Sequence, residues 1–252
     1  MKKIIPFILL VSTIVFLAAS PKKHAVKDWK IGVQMWTFNH FTFVEALNKV
    51  DSAGVKYIEC YRNQKMGEGF GNETFGPDLS ADSRAKLKEL LKSKGIHIWA
   101  LGVITPRTVD EWKKYFDLAK EFNLSYITAE PIKTQWNQVD SLAAIAGHPN
   151  IGSCADVGHW ARSGLNPVEC LKKLSGHIIG VHLKDIVQFN NPRADDTIVS
   201  KGVIDFPAIF AELKSQGFSG MMSIEHESNW YHNLPDVIET VKYYNEQVAK
   251  LK

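Results

Sequence analysis

The sequence predicts an α/β fold, a (β/α)8-type barrel with seven strands identifiable, on three observations. Strand-like and helix-like segments alternate from residue 30 to the C-terminus, the strand segments are short and apolar, and five of them end in a polar or titratable residue. Repeated β-then-α order calls for a parallel sheet covered by helices, whose strands read as near-continuous apolar runs. The chain has 252 residues, enough for one barrel and too few for two ordinary domains with a linker.

The strand candidates are 31–37, 56–60, 96–103, 126–130, 151–156, 178–184 and 220–225. Between them the spacing is helical. Trp112, Tyr115, Phe116 and Ala119 fall on one face of a helix over 108–122, and Thr108 with Glu111 reads as a capping box. Leu87, Leu90 and Leu91, closed by Gly95, follow the same logic. Pro235 opens a last helix with Val237, Ile238, Val241 and Tyr244 on one side. The glycines from Gly67 to Gly71 follow a strand but precede no helix, so they predict a flexible loop at the barrel mouth and not a dinucleotide site. Between 130 and 151 only one helical segment, 139–146, fits, so the eighth strand is expected to be missing there.

Lys2 and Lys3 precede an apolar run over 4–19 broken only by Pro6, Ser12 and Thr13, the pattern of a secretory signal. Residues 1–20 are therefore read as a signal peptide or N-terminal anchor, 21–29 as a linker and 30–252 as the barrel. The run falls short of the ~20 apolar residues of a membrane span. Export to the periplasm is expected, with membrane contact only through an uncleaved segment. The net charge is +3, of which Lys2 and Lys3 supply two. The near-neutral remainder carries no basic stripe, which argues against nucleic acid as a partner. Cys60, Cys154 and Cys170 are odd in number and widely spaced, so no disulfide framework is implied.

Barrel enzymes carry their chemistry where strands end. Here those positions hold Glu59, Glu130, Asp156, His182 and Glu225. Each alone can cap the next helix or meet a lysine. Together, carboxylates and an imidazole on one rim are poorly tolerated without a cation among them, and mixed oxygen and nitrogen ligands suit Mn²⁺, Mg²⁺, Co²⁺ or Zn²⁺. The two-residue period points His182 and Lys184 the same way and puts Glu225 and Glu227 on one face. His159 and Trp160 follow Asp156, and Trp230 and Tyr231 follow Glu225, where aromatic rings stack on a sugar as readily as they pack on the barrel lip.

The runs Cys154-Ala-Asp156-Val-Gly-His159-Trp160, Gly180-Val-His182-Leu-Lys184-Asp185 and Ser223-Ile-Glu225-His-Glu227, with an opening segment from Ile31 to Thr37 that contains Trp36, resemble the sugar phosphate isomerase/epimerase family of xylose isomerase-like barrels. The resemblance covers about residues 30–250. It implies a divalent metal, Mn²⁺ favoured, held by Asp156, His182 and Glu225, with Glu225 doubling as acid/base and His159 contacting substrate. A fourth ligand is expected on the strand before the Asp156 strand, the one the sequence lacks; Glu130 is its candidate replacement. Lys184, Glu130 and His159 join Glu225 as acid/base candidates. Glu59, Trp36, Trp160 and Trp230 join His159 as substrate contacts.

The implied activity is proton abstraction next to the carbonyl of a sugar through a metal-stabilised enediolate, giving isomerisation or epimerisation. Because phosphorylated sugars are cytoplasmic and this chain reads as exported, the substrate is expected to be a free sugar or a keto-glycoside. A 3-keto-glycoside would be opened by β-elimination, making the enzyme a 1,2-lyase. A non-catalytic carbohydrate-binding barrel, or an inactive relic, is the reading from another class. The apurinic endonuclease branch of these barrels needs a richer histidine cluster and a basic face, which this sequence does not supply. Nothing in the sequence opposes a homo-oligomer.

Overall fold

A computed structural model of the chain describes residues 26–130, 134 and 152–251. The expected signal segment, the first part of the linker, helix 139–146 and the site of the expected missing strand all lie outside the described residues.

Seven parallel strands form one sheet: β1 (Lys30–Gln34), β2 (Tyr57–Cys60), β3 (His97–Ile104), β4 (Tyr126–Ala129), β5 (Ser153–Asp156), β6 (Ile178–Leu183) and β9 (Met221–Ile224). Their order is β4-β3-β2-β1-β9-β6-β5, so the sheet curls into a nearly closed barrel whose two ends are β4 and β5. Two further strands, β7 (Asp185–Ile186) and β8 (Asp196–Thr197), pair antiparallel as a small hairpin after β6.

Helices cover the outer face: α1 (Phe43–Ser52), α2 (Ala81–Lys94), α3 (Val109–Phe122), α4 (Val157–Arg162), α5 (Pro167–Lys173), α6 (Phe206–Ser215) and α7 (Leu234–Leu251). Local chemistry sets their ends. Thr42 and Glu45 form a complete capping box at α1. The box expected at α3 is half-formed: Thr108 accepts from the Glu111 N–H, but Glu111 turns to the Arg107 N–H instead of that of Thr108. Gly95 closes α2 at φ 59, a left-handed conformation that favours glycine.

Alternation along the strands divides the residues. Ile58, Val181, Leu183, Met222 and Ile224 join the apolar layers between sheet and helices, while Glu59, Gly180, His182 and Ser223 face the barrel axis. Gly180 is needed there, because a Cβ would lie 2.6 Å from the Tyr126 hydroxyl arriving from β4.

Three expectations need correction. The first strand stops at Gln34, and Met35–Phe38 form a 3-10 turn in which the Gln34 side chain accepts from the Trp36 N–H. The stretch expected as a linker ends in a packed segment, where buried Trp29 donates its indole N–H to the Phe218 carbonyl at 2.6 Å. The glycine stretch expected to be a flexible loop is anchored instead: Met66, Phe70 and Phe75 are buried in the core, and Phe75 stacks on Phe43 at 5.3 Å. Positive φ at Gly67, Gly69 and Gly71 lets the backbone fold tightly enough to bury them.

Candidate active site at the C-terminal rim

Register brings the chemistry together. Asp156 on β5 pairs with His182 on β6, and His182 pairs with Ser223 on β9, so Glu225 emerges two residues higher on the same rim. The Glu225 N–H is held by the Leu183 carbonyl at 3.1 Å. Among the described residues, Asp156, His182 and Glu225 offer three ligand atoms within 4.8 Å of one another. His182 Nδ1 lies 2.9 Å from Glu225 Oε2 and 3.5 Å from Asp156 Oδ2.

Asp156 does two jobs. Its Oδ1 accepts the His159 N–H at 2.8 Å as the N-cap of α4, and its Oδ2 faces His182. Burial opposes its charge, but His182, Lys184 and His159 outweigh that cost and hold the carboxyl below the usual range. For His182, burial opposes the imidazolium while Cys154, Glu59, Glu225 and Asp156 favour it, and the pKa is raised well above its ordinary value.

Lys184 is 1% exposed. Its ammonium lies 2.7 Å from Glu227 Oε2, 3.3 Å from Glu225 Oε2, 3.7 Å from Asp156 Oδ2 and 3.4 Å from His159 Nε2. Glu227 also accepts from the Trp36 indole at 3.1 Å and from Arg162 at 3.4 Å. Arg162 in turn is paired with buried Asp196 of the hairpin. The lysine stem needs clear space beneath it: at Gly158 a Cβ would lie 2.5 Å from Lys184 Cγ. This explains the glycine in the Asp156-Val-Gly-His159 run.

The donor set fits a divalent cation. A neutral imidazole has one N–H and one lone pair. Both nitrogens of His182 face carboxylate oxygens, Glu59 on one side and Asp156 with Glu225 on the other. The pairing is favourable only with a second proton or a metal ion between them. Two carboxylates and one imidazole match the ligand preferences of Mn²⁺ and its neighbours.

The other candidates fall into distinct places. Glu130, exposed after β4, lines the same cavity as Asp156, His159, His182 and Glu225 but lies outside the three-residue grouping. Glu59, expected to touch substrate, is fully buried; Thr128, Ser223 and His182 occupy its oxygens. Trp36 is 40% exposed at the rim and meets Tyr61 edge-on. Trp160 packs partly against the outer apolar layer, and Trp230 stacks on His40 at 5.3 Å. Sequence reasoning missed Arg162, Asp196, Thr128 and Ser223. For the last two the signal existed, since they continue the inward alternation of β4 and β9.

The rim of this α/β barrel gathers Asp156, Glu225, His182 and the buried Lys184. The chain belongs to the xylose isomerase-like TIM barrel family, whose model matches residues 105–248. It is similar to an inosose dehydratase of Clostridium botulinum, 30% identical over 120 residues, which cover 42% of this chain and 39% of that relative. The chain thus aligns with about two fifths of the length of that curated relative. A crystal structure of an uncharacterised protein from Parabacteroides distasonis matches at TM-score 0.71 and 31% identity, covering 87% of this chain and 99% of that one. A sugar phosphate isomerase/epimerase from the same organism matches at TM-score 0.64 and 15% identity, covering 93% and 97%, and supports the fold alone.

Proposed function

We propose that this chain is a divalent-metal-dependent enzyme that removes a proton next to the carbonyl of a free sugar or keto-glycoside, acting as an isomerase or epimerase. The observation that carries the reading is the grouping of Asp156, His182 and Glu225 beside the buried Lys184 ammonium. Those three residues would hold the metal, with Mn²⁺ first among the ions their chemistry suits. When bound, it supplies Lewis-acid polarisation of the substrate carbonyl.

The chain's own groups do the rest. Glu225, only partly buried at the mouth, takes the proton on its carboxylate. Lys184 points a fixed cation at the oxygen that gains negative charge, and Glu227 with Trp36 and Arg162 holds that cation's surroundings in place. Trp36 and His159, both exposed at the rim, offer a ring face and a polar edge to the sugar. Returning the proton to the opposite face epimerises; returning it to the neighbouring carbon isomerises.

A second reading, β-elimination, is favoured by His159. Its side chain is 59% exposed, and Nε2 lies 3.4 Å from Lys184 Nζ, where it can protonate a departing hydroxyl or glycosyl oxygen. The dehydratase activity in the name of the Clostridium relative is of this kind.

The test is solvent deuterium exchange, followed by proton NMR, on keto-sugars and 3-keto-glycosides with Mn²⁺ present. The wild-type chain should exchange the proton next to the carbonyl, and Glu225→Gln should not. Exchange with an epimer or isomer as product supports the first reading, and an unsaturated product supports the second. No exchange with any of these substrates removes both and favours a carbohydrate-binding barrel.

A further inference from the structure

We propose that Glu59 is the positioning residue of this site: it takes the Nε2–H of His182, so that the Nδ1 lone pair faces Asp156 and Glu225. The proposal rests on the reading of His182 as a metal ligand.

Glu59 is the next-to-last residue of β2, which two strands, β1 and β9, separate from β6 in the sheet, and its side chain crosses the barrel interior to reach His182. It is fully buried. Oε1 accepts from Thr128 Oγ1 of β4 at 2.8 Å, and Oε2 accepts from Ser223 Oγ of β9 at 2.9 Å and lies 3.1 Å from His182 Nε2. An ionised carboxylate only accepts hydrogen bonds, so the nitrogen facing it must donate. Burial of a carboxylate is tolerated when donors meet its oxygens, and here three strands supply them. The ring is thereby locked at one nitrogen while the other is free to ligate. A histidine that binds metal with one nitrogen is oriented in this manner by an acceptor at its second.

The position is also the reason Glu59 cannot be a substrate contact. Its oxygens are spent inside the barrel, beneath the rim on which Asp156, His182 and Glu225 meet.

The test compares the full chain with Glu59→Gln, which keeps the shape of the side chain but offers an amide N–H₂ in place of one carboxylate oxygen. Two readings are taken: Mn²⁺ affinity by titration calorimetry, and the imidazole ¹⁵N spectrum of the Zn²⁺-loaded, histidine-labelled chain. The wild type should show Nδ1 bound to metal and the proton on Nε2. Glu59→Gln should lose roughly 10- to 100-fold in Mn²⁺ affinity and lose that ¹⁵N pattern. Wild-type affinity and pattern in Glu59→Gln overturn the proposal, leaving the metal reading intact. If Glu59→Gln does not fold, Glu59→Asp retracts the carboxylate by one methylene, and unchanged readings there overturn it equally. A wild-type chain that binds neither ion overturns the metal reading itself, and this inference with it.

Discussion

Lys184 donates to Glu227 at 2.7 Å while its ammonium also faces Glu225 and Asp156, so one buried cation serves three carboxylates. Burial opposes that charge, but Asp156, Glu225, Glu227 and Asp196 outweigh it and raise the lysine pKa above its ordinary value. Lys184→Met keeps the stem and removes the charge. Turnover should fall by roughly 10²- to 10³-fold, while Mn²⁺ affinity, read by calorimetry, stays level or tightens because a competing cation is gone. Loss of Mn²⁺ binding would show that the lysine builds the site and does not act on substrate.

Metal addition should stabilise the folded chain. At a hundredfold excess over the dissociation constant the gain is about 2.7 kcal/mol, on the order of 5–10 °C in melting midpoint for a chain of this size. After chelation, Mn²⁺ should restore that shift in the wild type and leave His182→Ala unmoved. An equal shift in both would remove His182 from the ligand set.

Asp185, next to the lysine, has a structural task. Its carboxylate accepts four backbone N–H groups, those of Ile186, Ser200, Gly202 and Ile204, at 2.9 to 3.2 Å. Asp185→Ala should cost about 3 kcal/mol or more in urea unfolding, near 1 kcal/mol for each lost bond. The folded fraction should bind Mn²⁺ as the wild type does. A cost under about 1 kcal/mol would mean that the loop finds other acceptors.

Acid stability should depend on Glu73. The Ser80 N–H, then the Ser83 and Ser80 hydroxyls, hold its carboxyl below its ordinary value of 4.5. A depressed folded value means that the contribution is present above the ordinary pKa and is lost as pH falls through the folded one. The urea midpoint of Glu73→Gln should therefore lie below the wild type at pH 7 and approach it as the pH falls below 4.5. A constant gap between the two would refute the assignment.

The rim was legible because strands buried on both faces exclude charge, so Asp156, His182 and Glu225 stood out at their ends. Their neighbours Lys184 and Glu227 followed from the two-residue period. The depth of Glu59 was not legible: strand tilt and stagger in a barrel decide whether a strand-end side chain meets solvent or the interior, and nothing local to β2 records them. The β7–β8 hairpin escaped because two-residue strands carry no period. Trp160 stayed open because a ring in a short helix after β5 reaches either the mouth or the outer layer, and only packing chooses.

The close approach of Lys184 fixes the residue at position 158. With a lysine stem lying 2.5 Å from where a Cβ would stand, any library that randomises position 158 alone should return glycine in every active clone. Shortening residue 184 does not open the space, because its own Cβ stands 2.8 Å from the same point. Lineages that abandon the lysine are thus still held to the glycine, since the constraint lies in how closely the two backbones approach and not only in the length of the stem.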